Sequence, residues 1–556
     1  MDIVGKPVSA LKVFINSCAG QREPWEIVTI TTTSVLAAVW FWQFVFQEES
    51  VHVRAKKAFF KLLRKVPAVR NKLKAEIEKI SDKFMEDAEK RVKDIPFVLC
   101  LPDKGAKDEE VLRCVEKCVE LGEFDWKHGF VSGAVYFQSQ PLLDLVSKVY
   151  GQTSYTNPLH PDVFPGINKM EAEVVRITAQ LFHGGPNSCG TMTSGGTESI
   201  LMACKALRDF AYHERGIRRG EIVLPKTAHP AFDKAAQYLD MKITYVPVDP
   251  KTCTVDIKQM EKAISKNTVM LVGSVPNYPY GTSDDMEAIA ALGRKYNIPV
   301  HSDCCLGGFL TAFMPSVGYP VAPFDFAVDG IVSISADTHK YGYTPKGSSV
   351  VLYCDEKYRS YQYTVTTDWP GGVYGSPTVN GSRPGGTIAV TWASMMHFGL
   401  EGYKDATKKV ISTSRHLEKK LREIEELTLF GTPATSVVAF RSEKFHIYKL
   451  AEILKSKQWN INSLQFPPGI HMTVTVMHTV DGVIDRFVED VKLGVQQIMT
   501  STDLQELTKG GEMALYGMAQ SLPDRTIVED ITCAWLDSLY FTPKQSEKHS
   551  SQNGHI

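Results

Sequence analysis

Ser333-Ile-Ser-Ala-Asp-Thr-His-Lys-Tyr-Gly-Tyr343 reads as a buried strand running into a polar loop that carries one lysine, Lys340. Its first four residues are small or β-branched and uncharged, as a strand covered on both faces requires. A lysine at the end of such a strand is placed to be desolvated. Desolvation lowers the ammonium pKa and frees the amine for Schiff-base chemistry. An ordinary exposed loop lysine is the alternative, and His339 beside it reads either as a hydrogen-bond donor or as a plain loop residue.

Working outward, VMLVGSV (269–275), IPVHSD (298–303), GIVSISAD (330–337) and SSVVLYC (348–354) form a series of short apolar runs. Between and before them lie AEVVRITAQLF (172–182), ESILMACKALRDFA (198–211) and DMEAIAALGRKY (285–296), which have helical spacing. Alternation of this kind predicts an α/β fold with a mostly parallel sheet covered on both sides. The large domain is expected over 126–395. A smaller α/β domain is expected over 396–542, where SRHLEKKLREIEEL, IYKLAEILKSK and VIDRFVEDVKLGVQQI bracket the strand-like SVVAFRS and HMTVTVMHT. Residues 47–125 read as a basic helical connector and 543–556 as a disordered tail. The apolar run Cys533–Phe541 reads either as an entry for an acyl chain or as a terminal helix packed on the core.

Three further patterns follow strands of the same domain. Thr193-Ser-Gly-Gly-Thr-Glu-Ser199 opens a helix with two glycines and small hydroxyl residues. Exposed backbone N–H groups and the helix dipole make such a turn an anion site suited to phosphate. A plain cap by Ser194 or Thr197 stays open. Asp303 ends the strand IPVHSD, at the carboxyl edge where ligands of open α/β sheets bind. His229, in PKTAHP after the strand EIVLP, carries a flat ring able to stack on an aromatic group. Each alone has a structural explanation. Together, an anion cup, a stacking histidine, an acid and a lysine on one sheet are what pyridoxal 5'-phosphate requires.

The amino end differs from the rest. Trp25–Phe46 (WEIVTITTTSVLAAVWFWQFVF) has Glu26 as its only charge. As a helix it spans about 33 Å, enough to cross a hydrocarbon core of about 30 Å. Trp25 at one end and Trp40, Trp42 and Phe46 at the other fit an aromatic belt. Residues 51–75 hold nine Lys/Arg and no acid. That bias predicts a signal-anchor span at 25–46, with residues 1–24 lumenal and everything after the span cytosolic; a buried core helix and a cleaved signal peptide are the alternatives.

With 62 basic and 63 acidic residues, the net charge of −1 speaks against a nucleic-acid binder. A hydrophobic share of 43% excludes wholesale disorder. Eleven cysteines show neither a disulfide framework nor metal-ligand spacing, so no metal is expected and a reducing compartment is.

Longer strings carry a resemblance. TSGGTES, HSDCCLGGF and SISADTHKYGY resemble the fold-type-I (aspartate aminotransferase-like) pyridoxal-phosphate enzymes, in the branch that includes amino-acid decarboxylases. YTNPLHPDVFPG (155–166), ADTHKYGYTPKGSS (336–349) and DWPGGVYGSPTVNGSRPGG (368–386) resemble the sphingosine-1-phosphate lyase family, and the likeness runs from about residue 22 to 542. It implies that Lys340 forms the Schiff base, Asp303 pairs with the ring nitrogen and His229 stacks on the ring. Gly196, Thr197 and His339 would hold the phosphate, and Ser382 of a neighbouring subunit in a homodimer would complete the cup. Asn157, His160, Tyr136, Lys346 and Tyr374 match substrate-side positions. Lys346, Tyr374 and Tyr136 are the candidates for proton transfer or for holding the substrate phosphate. The implied reaction is retro-aldol C2–C3 cleavage of a phosphorylated sphingoid base, at the endoplasmic reticulum membrane with the catalytic domain facing the cytosol. An amino-acid decarboxylase on the same scaffold is the alternative, and a non-enzymatic scaffold a third.

Overall fold

The computed structural model describes residues 16–17, 20, 22–45, 59–60, 62–500 and 525–543. The chain divides into one unit of Gly122–Gly517 and a second made of Met1–Leu121 with Met518–Ile556.

The larger unit is built on a seven-stranded sheet. Its strands are β1 (Cys189–Thr193), β2 (Glu221–Pro225), β3 (Lys242–Val246), β4 (Thr268–Ser274), β5 (Val300–Asp303), β6 (Ile331–Ala336) and β7 (Ser349–Tyr353). Their order is β1-β7-β6-β5-β4-β2-β3. Neighbours from β3 to β6 pair parallel, whereas β7 is antiparallel to both β6 and β1. β1 therefore runs in the same direction as the parallel set. β4 and β6 are buried along their whole length, which is why they read as continuous apolar or small-residue runs rather than alternating ones. The helices Pro165–Leu181, Gly196–Arg215 and Met286–Tyr296 cover the sheet where the helical spacing predicts them. Asp285 starts the last of these by accepting from Ala288 N, and Asn297 ends it in the left-handed conformation.

The hairpin β8 (Thr364–Thr366) and β9 (Tyr374–Ser376) follows. The smaller antiparallel sheet of the same unit has the order β10-β11-β13-β12, from β10 (Thr428–Leu429), β11 (Val437–Arg441), β12 (Asn462–Leu464) and β13 (Gly469–Thr473). HMTVTVMHT is not one strand. It leaves the ladder after Thr473, because His478 Nδ1 accepts from Thr475 N at 2.9 Å and Thr475 Oγ1 takes Met477 N, so local bonds replace pairing. The boundary expected at residue 395 falls inside the helix Gly385–Arg422, which is broken at Gly399 (φ 54°). That φ lies in the left-handed region and suits glycine.

The second unit holds the helices Pro67–Val92, Asp108–Glu120 and Arg525–Ser538. The last packs on the first. Arg64 pairs with Asp530 at 3.3 Å, and Phe97 meets Phe541 edge to face at 5.8 Å. Residues 525–543 thus group with the amino-terminal segment rather than with the small domain expected to extend to 542. The run Cys533–Phe541 overlaps this packed helix.

Pro24–Val45 is a continuous helix with exposed Trp25, Val28, Leu36 and Val39. Thr29 and Thr33 return their hydroxyls to the carbonyls of Trp25 and Thr29 at 2.8 and 2.7 Å. Among the described residues no helix is long and apolar enough by mean hydropathy to cross a membrane. Phe46, residues 51–58, Lys61 and the tail beyond 543 lie outside the described residues.

Candidate active site

The parallel sense of β1, β2, β5 and β6 brings their carboxyl ends to one edge of the sheet. Ser194-Gly195-Gly196 follows β1, His229 follows β2, Asp303 ends β5 and Lys340 follows β6. Lys346 lies in the same turn as Lys340, just before β7.

Lys340 Nζ is 2.8 Å from Asp337 Oδ2. Burial pulls the Lys340 ammonium down, but the Asp337 carboxylate, with help from Tyr136 and Cys305, more than offsets it and holds its pKa above the ordinary lysine value. The sequence-based expectation of a lysine lowered by desolvation is therefore corrected. Burial alone acts in that direction, and a carboxylate three residues away reverses it. Asp337 is pushed up by burial and pulled down further by Lys340 and His339, so its pKa lies below its usual value.

His339 Nε2 lies 3.6 Å from Asp337 Oδ2, beyond hydrogen-bond reach, and its Nδ1 accepts from Ser348 N at 3.2 Å, which leaves Nε2 to carry the proton. Its ring edge comes within 3.4 Å of where a Cβ on Gly195 would sit. A Cβ on Gly196 would lie 2.7 and 2.8 Å from the two Asp337 oxygens and 2.9 Å from Cys305 Sγ. Only a glycine fits there. The helix Gly196–Arg215 begins without a side-chain cap, so neither Ser194 nor Thr197 closes its N-terminus. Ser194 instead donates its N–H and its hydroxyl to Glu198 Oε2 at 2.7 and 2.6 Å. Thr197 is exposed at that helix start. An uncapped helix N-terminus in a glycine cradle fits a phosphate group.

Asp303 Oδ1 accepts from Cys305 N at 3.1 Å and from the Ser335 hydroxyl at 3.2 Å. Behind it, His301 Nε2 is 3.1 Å from Ser335 Oγ and its Nδ1 is 2.8 Å from Ser333 Oγ. Burial holds His301 down to about 4, so the ring is neutral. His229 Nδ1 accepts from Ala231 N at 3.1 Å. Burial lowers the His229 pKa against the pull of Asp303, leaving a flat neutral ring that faces Tyr278 edge-on at 6.5 Å.

Tyr136 arrives from the other side. Its carbonyl accepts from Val476 N at 3.1 Å, and its ring packs edge-on against Tyr341 at 4.8 Å. Tyr341 in turn places its hydroxyl 2.6 Å from both Ser436 Oγ and the Val474 carbonyl, tying the lysine loop to the small sheet. Burial, opposed by the Lys340 charge and helped by Asp337 and Tyr278, pushes the Tyr136 phenol up to about 12. Lys346 Nζ lies 4.8 Å over the Tyr136 ring and donates to the His339 carbonyl at 3.3 Å. Its side chain still reaches solvent, and partial desolvation first and the Lys340 charge second lower its pKa.

The remaining sequence-selected residues are not in contact with this cluster among the described residues. Asn157 Oδ1 accepts from Leu159 N and Arg383 N, both at 3.1 Å. His160 and Ser382 are exposed. Tyr374 lies in β9 and meets Trp369 edge-on at 6.5 Å. Sequence reasoning missed Asp337, although it stands three residues before Lys340 in the opening string. It also missed Glu171 and Arg383, for which no local pattern gives a signal.

The residues fit pyridoxal phosphate. The glycine cradle suits its phosphate, Asp303 its ring nitrogen, His229 its ring face and Lys340 its aldehyde. The family model described as the pyridoxal-dependent decarboxylase conserved domain matches residues 99–443. A sphingosine-1-phosphate lyase of Drosophila melanogaster is 53% identical over 531 residues, 96% of this chain and 97% of that protein. Sphingosine-1-phosphate lyase 1 of Mus musculus is 47% identical, covering 98% and 94%. Among solved structures, the Burkholderia pseudomallei sphingosine-1-phosphate lyase superposes with a TM-score of 0.71 at 38% identity, covering 74% of this chain and 99% of that one. A Lactobacillus brevis glutamate decarboxylase shares the fold, with a TM-score of 0.64 at 20% identity, covering 74% and 97%.

Proposed function

The chain belongs to the sphingosine-1-phosphate lyase family, and we propose from its site that it splits the C2–C3 bond of phosphorylated sphingoid bases into a long-chain aldehyde and phosphoethanolamine. It is a pyridoxal-phosphate-dependent carbon–carbon lyase. When bound, pyridoxal phosphate supplies an electron sink for the carbanion left by bond cleavage. Lys340 Nζ would hold its aldehyde, Asp303 would keep its ring nitrogen protonated, and the His229 ring would fix the plane against which the breaking bond is aligned.

The observation that carries the reading is the Lys346–Tyr136 pair beside Lys340. A retro-aldol cleavage needs a group that takes the proton of the 3-hydroxyl and one that holds the substrate phosphate. A decarboxylation needs neither. Tyr136, protonated at neutral pH, is a donor. Lys346, with its lowered pKa, is the better group to exchange a proton. The pyridoxal-phosphate-loaded protein, incubated with sphingosine 1-phosphate and followed by mass spectrometry, is expected to yield aldehyde and phosphoethanolamine in equal amounts, lost on Lys340→Ala. Carbon dioxide release from an amino acid with no such cleavage would instead identify the decarboxylase alternative.

The protein acts as a homodimer with shared sites. Support comes from the bond between the loops around Asn157 and Arg383 and from apolar residues they and their neighbours leave exposed, Tyr155, Val163, Val373 and Val379. It sits in the endoplasmic reticulum membrane through one span at 25–46, catalytic domain in the cytosol. The length of the helix Pro24–Val45 and its threonine hydroxyls bonded to its own carbonyls support the span, against a mean hydropathy below that of a crossing helix. The nine basic residues of 51–75 favour this orientation. Protease protection of an amino-terminal epitope in sealed microsomes tests it, since digestion of that epitope with the catalytic domain left intact would reverse the orientation.

A further inference from the structure

Three residues before the Schiff-base lysine stands a second buried charge that the chemistry above does not use. The Asp337 side chain is only 2% exposed. Its carboxylate faces Lys340 on one side and the Gly196 cradle and Cys305 on the other. A buried carboxylate is costly unless a cation compensates it, and the same holds for a buried ammonium. Each is the other's nearest counter-charge.

The groups around the pair leave that assignment intact. From the loop before β7 come His339 and Lys346, from β7 Ser349, from the β5 turn Asp303 and Cys305, from the β2 turn His229, and from the amino-terminal side Tyr136. Burial keeps Tyr136 and Cys305 protonated, and His229 and His339 neutral. The full charges in reach are therefore Asp303, Lys346 and the pair itself. Lys346 repels the Lys340 ammonium, and Asp337, at 2.8 Å, is placed to outweigh it.

We propose that Asp337 is the positioning residue of the catalytic lysine: whenever Lys340 Nζ is not bonded to the cofactor, Asp337 receives it as an ammonium and holds it at the glycine cradle. The pair thus parks the lysine in one rotamer and makes its return to nucleophilic form depend on loss of a proton. The inference rests on the lyase reading only for the identity of Lys340 as the Schiff-base residue.

The test uses the full chain resolved from its cofactor and treated with trinitrobenzenesulfonate across a pH series. Modification of the Lys340 peptide is followed by mass spectrometry, with exposed Lys408 as the internal standard. In the unaltered protein the midpoint for Lys340 is expected above that for Lys408. In Asp337→Asn it is expected to fall by at least about one pH unit, a tenfold or greater gain in Lys340 reactivity at neutral pH. A midpoint at or below that of Lys408 in the unaltered protein overturns the proposal, even if Asp337→Asn fails to fold. An unmoved midpoint in a folded Asp337→Asn does so too. Absorbance of the reloaded cofactor separates the two readings: retained absorbance with an unmoved midpoint removes the Asp337 role alone, whereas no Schiff-base absorbance in the unaltered protein removes both.

Discussion

Arg383 and Glu171 stand 212 residues apart in the chain and form a two-pronged ion pair, with Arg383 Nη2 2.7 Å from Glu171 Oε2. Both side chains are largely buried, at 13% and 11% exposure. Glu171 also accepts from Met192 N in β1, one residue before Thr193 and the glycine turn. Arg383 N donates to Asn157. One carboxylate thereby joins the phosphate cradle, the 378–386 loop and the 155–160 loop.

Removing one partner of this pair leaves a buried charge without compensation. Glu171→Ala is expected to cost about 3 kcal/mol or more of stability and to weaken cofactor binding, because β1 loses its anchor beside the cradle. Denaturant unfolding and a pyridoxal-phosphate titration check this. The double replacement Glu171→Met with Arg383→Met is expected to recover much of the stability but not the cofactor affinity, since Met192 N in β1 still lacks its acceptor.

Lys346→Met is expected to reduce turnover by about 10²–10⁴-fold while leaving the cofactor absorbance in place, as removal of a general acid–base group does. If turnover is unchanged, Lys346 does not transfer the proton. Because burial lowers its pKa and a base must be unprotonated to take the 3-hydroxyl proton, kcat in the unaltered protein is expected to rise with pH, with the midpoint of that acidic limb below the ordinary lysine value of about 10.4.

His301, His471 and His478 are each held down to about 4 by burial. Their folded pKa lies below the unfolded value of about 6.5, so the unfolded chain binds protons first. Their contribution is complete above about pH 6.5 and is lost as pH falls from there toward 4. At about pH 5.5 each costs on the order of 1 kcal/mol. Asp284, pushed up to about 6 by burial, binds its proton earlier in the folded chain and offsets part of this. The melting temperature is expected to fall between pH 6.5 and 5. His301→Asn is expected to flatten the slope, and a slope unchanged in that variant would show that His301 does not titrate this way.

If Ser382 completes the partner's site, Lys340→Ala and Ser382→Asp subunits, each inactive as a homodimer, are expected to complement when co-expressed. Random pairing gives mixed dimers with one intact site each, or about a quarter of full activity. Absence of recovery in a mixture shown to contain mixed dimers would place Ser382 outside the shared site.

Much of this molecule is legible in one dimension. β4, β5, β6 and β7 lie within one or two residues of their apolar runs, because strands buried on both faces must be apolar throughout. Asp303, His229, the glycine turn and Lys340 each follow a strand, and parallel strands deliver their carboxyl ends to one edge. β10 and β12, two and three residues long, left no such signature. The helix Gly385–Arg422 crosses the domain boundary expected at 395, and its break lies four residues further on, at Gly399.

The order of chemistry along the chain, and with it the cofactor, was determined by the sequence alone. The charge state of Lys340 was not. Desolvation is a property of burial that a strand-to-loop pattern foretells, and it argued for a lowered pKa. The Asp337 carboxylate at 2.8 Å reverses that sign. Only the tertiary structure brings Tyr136 beside Lys346, or Glu171 beneath Arg383. Hydrogen bonds and Coulomb interactions depend on distance through space, whereas residue periodicity encodes which face is buried and not what faces it.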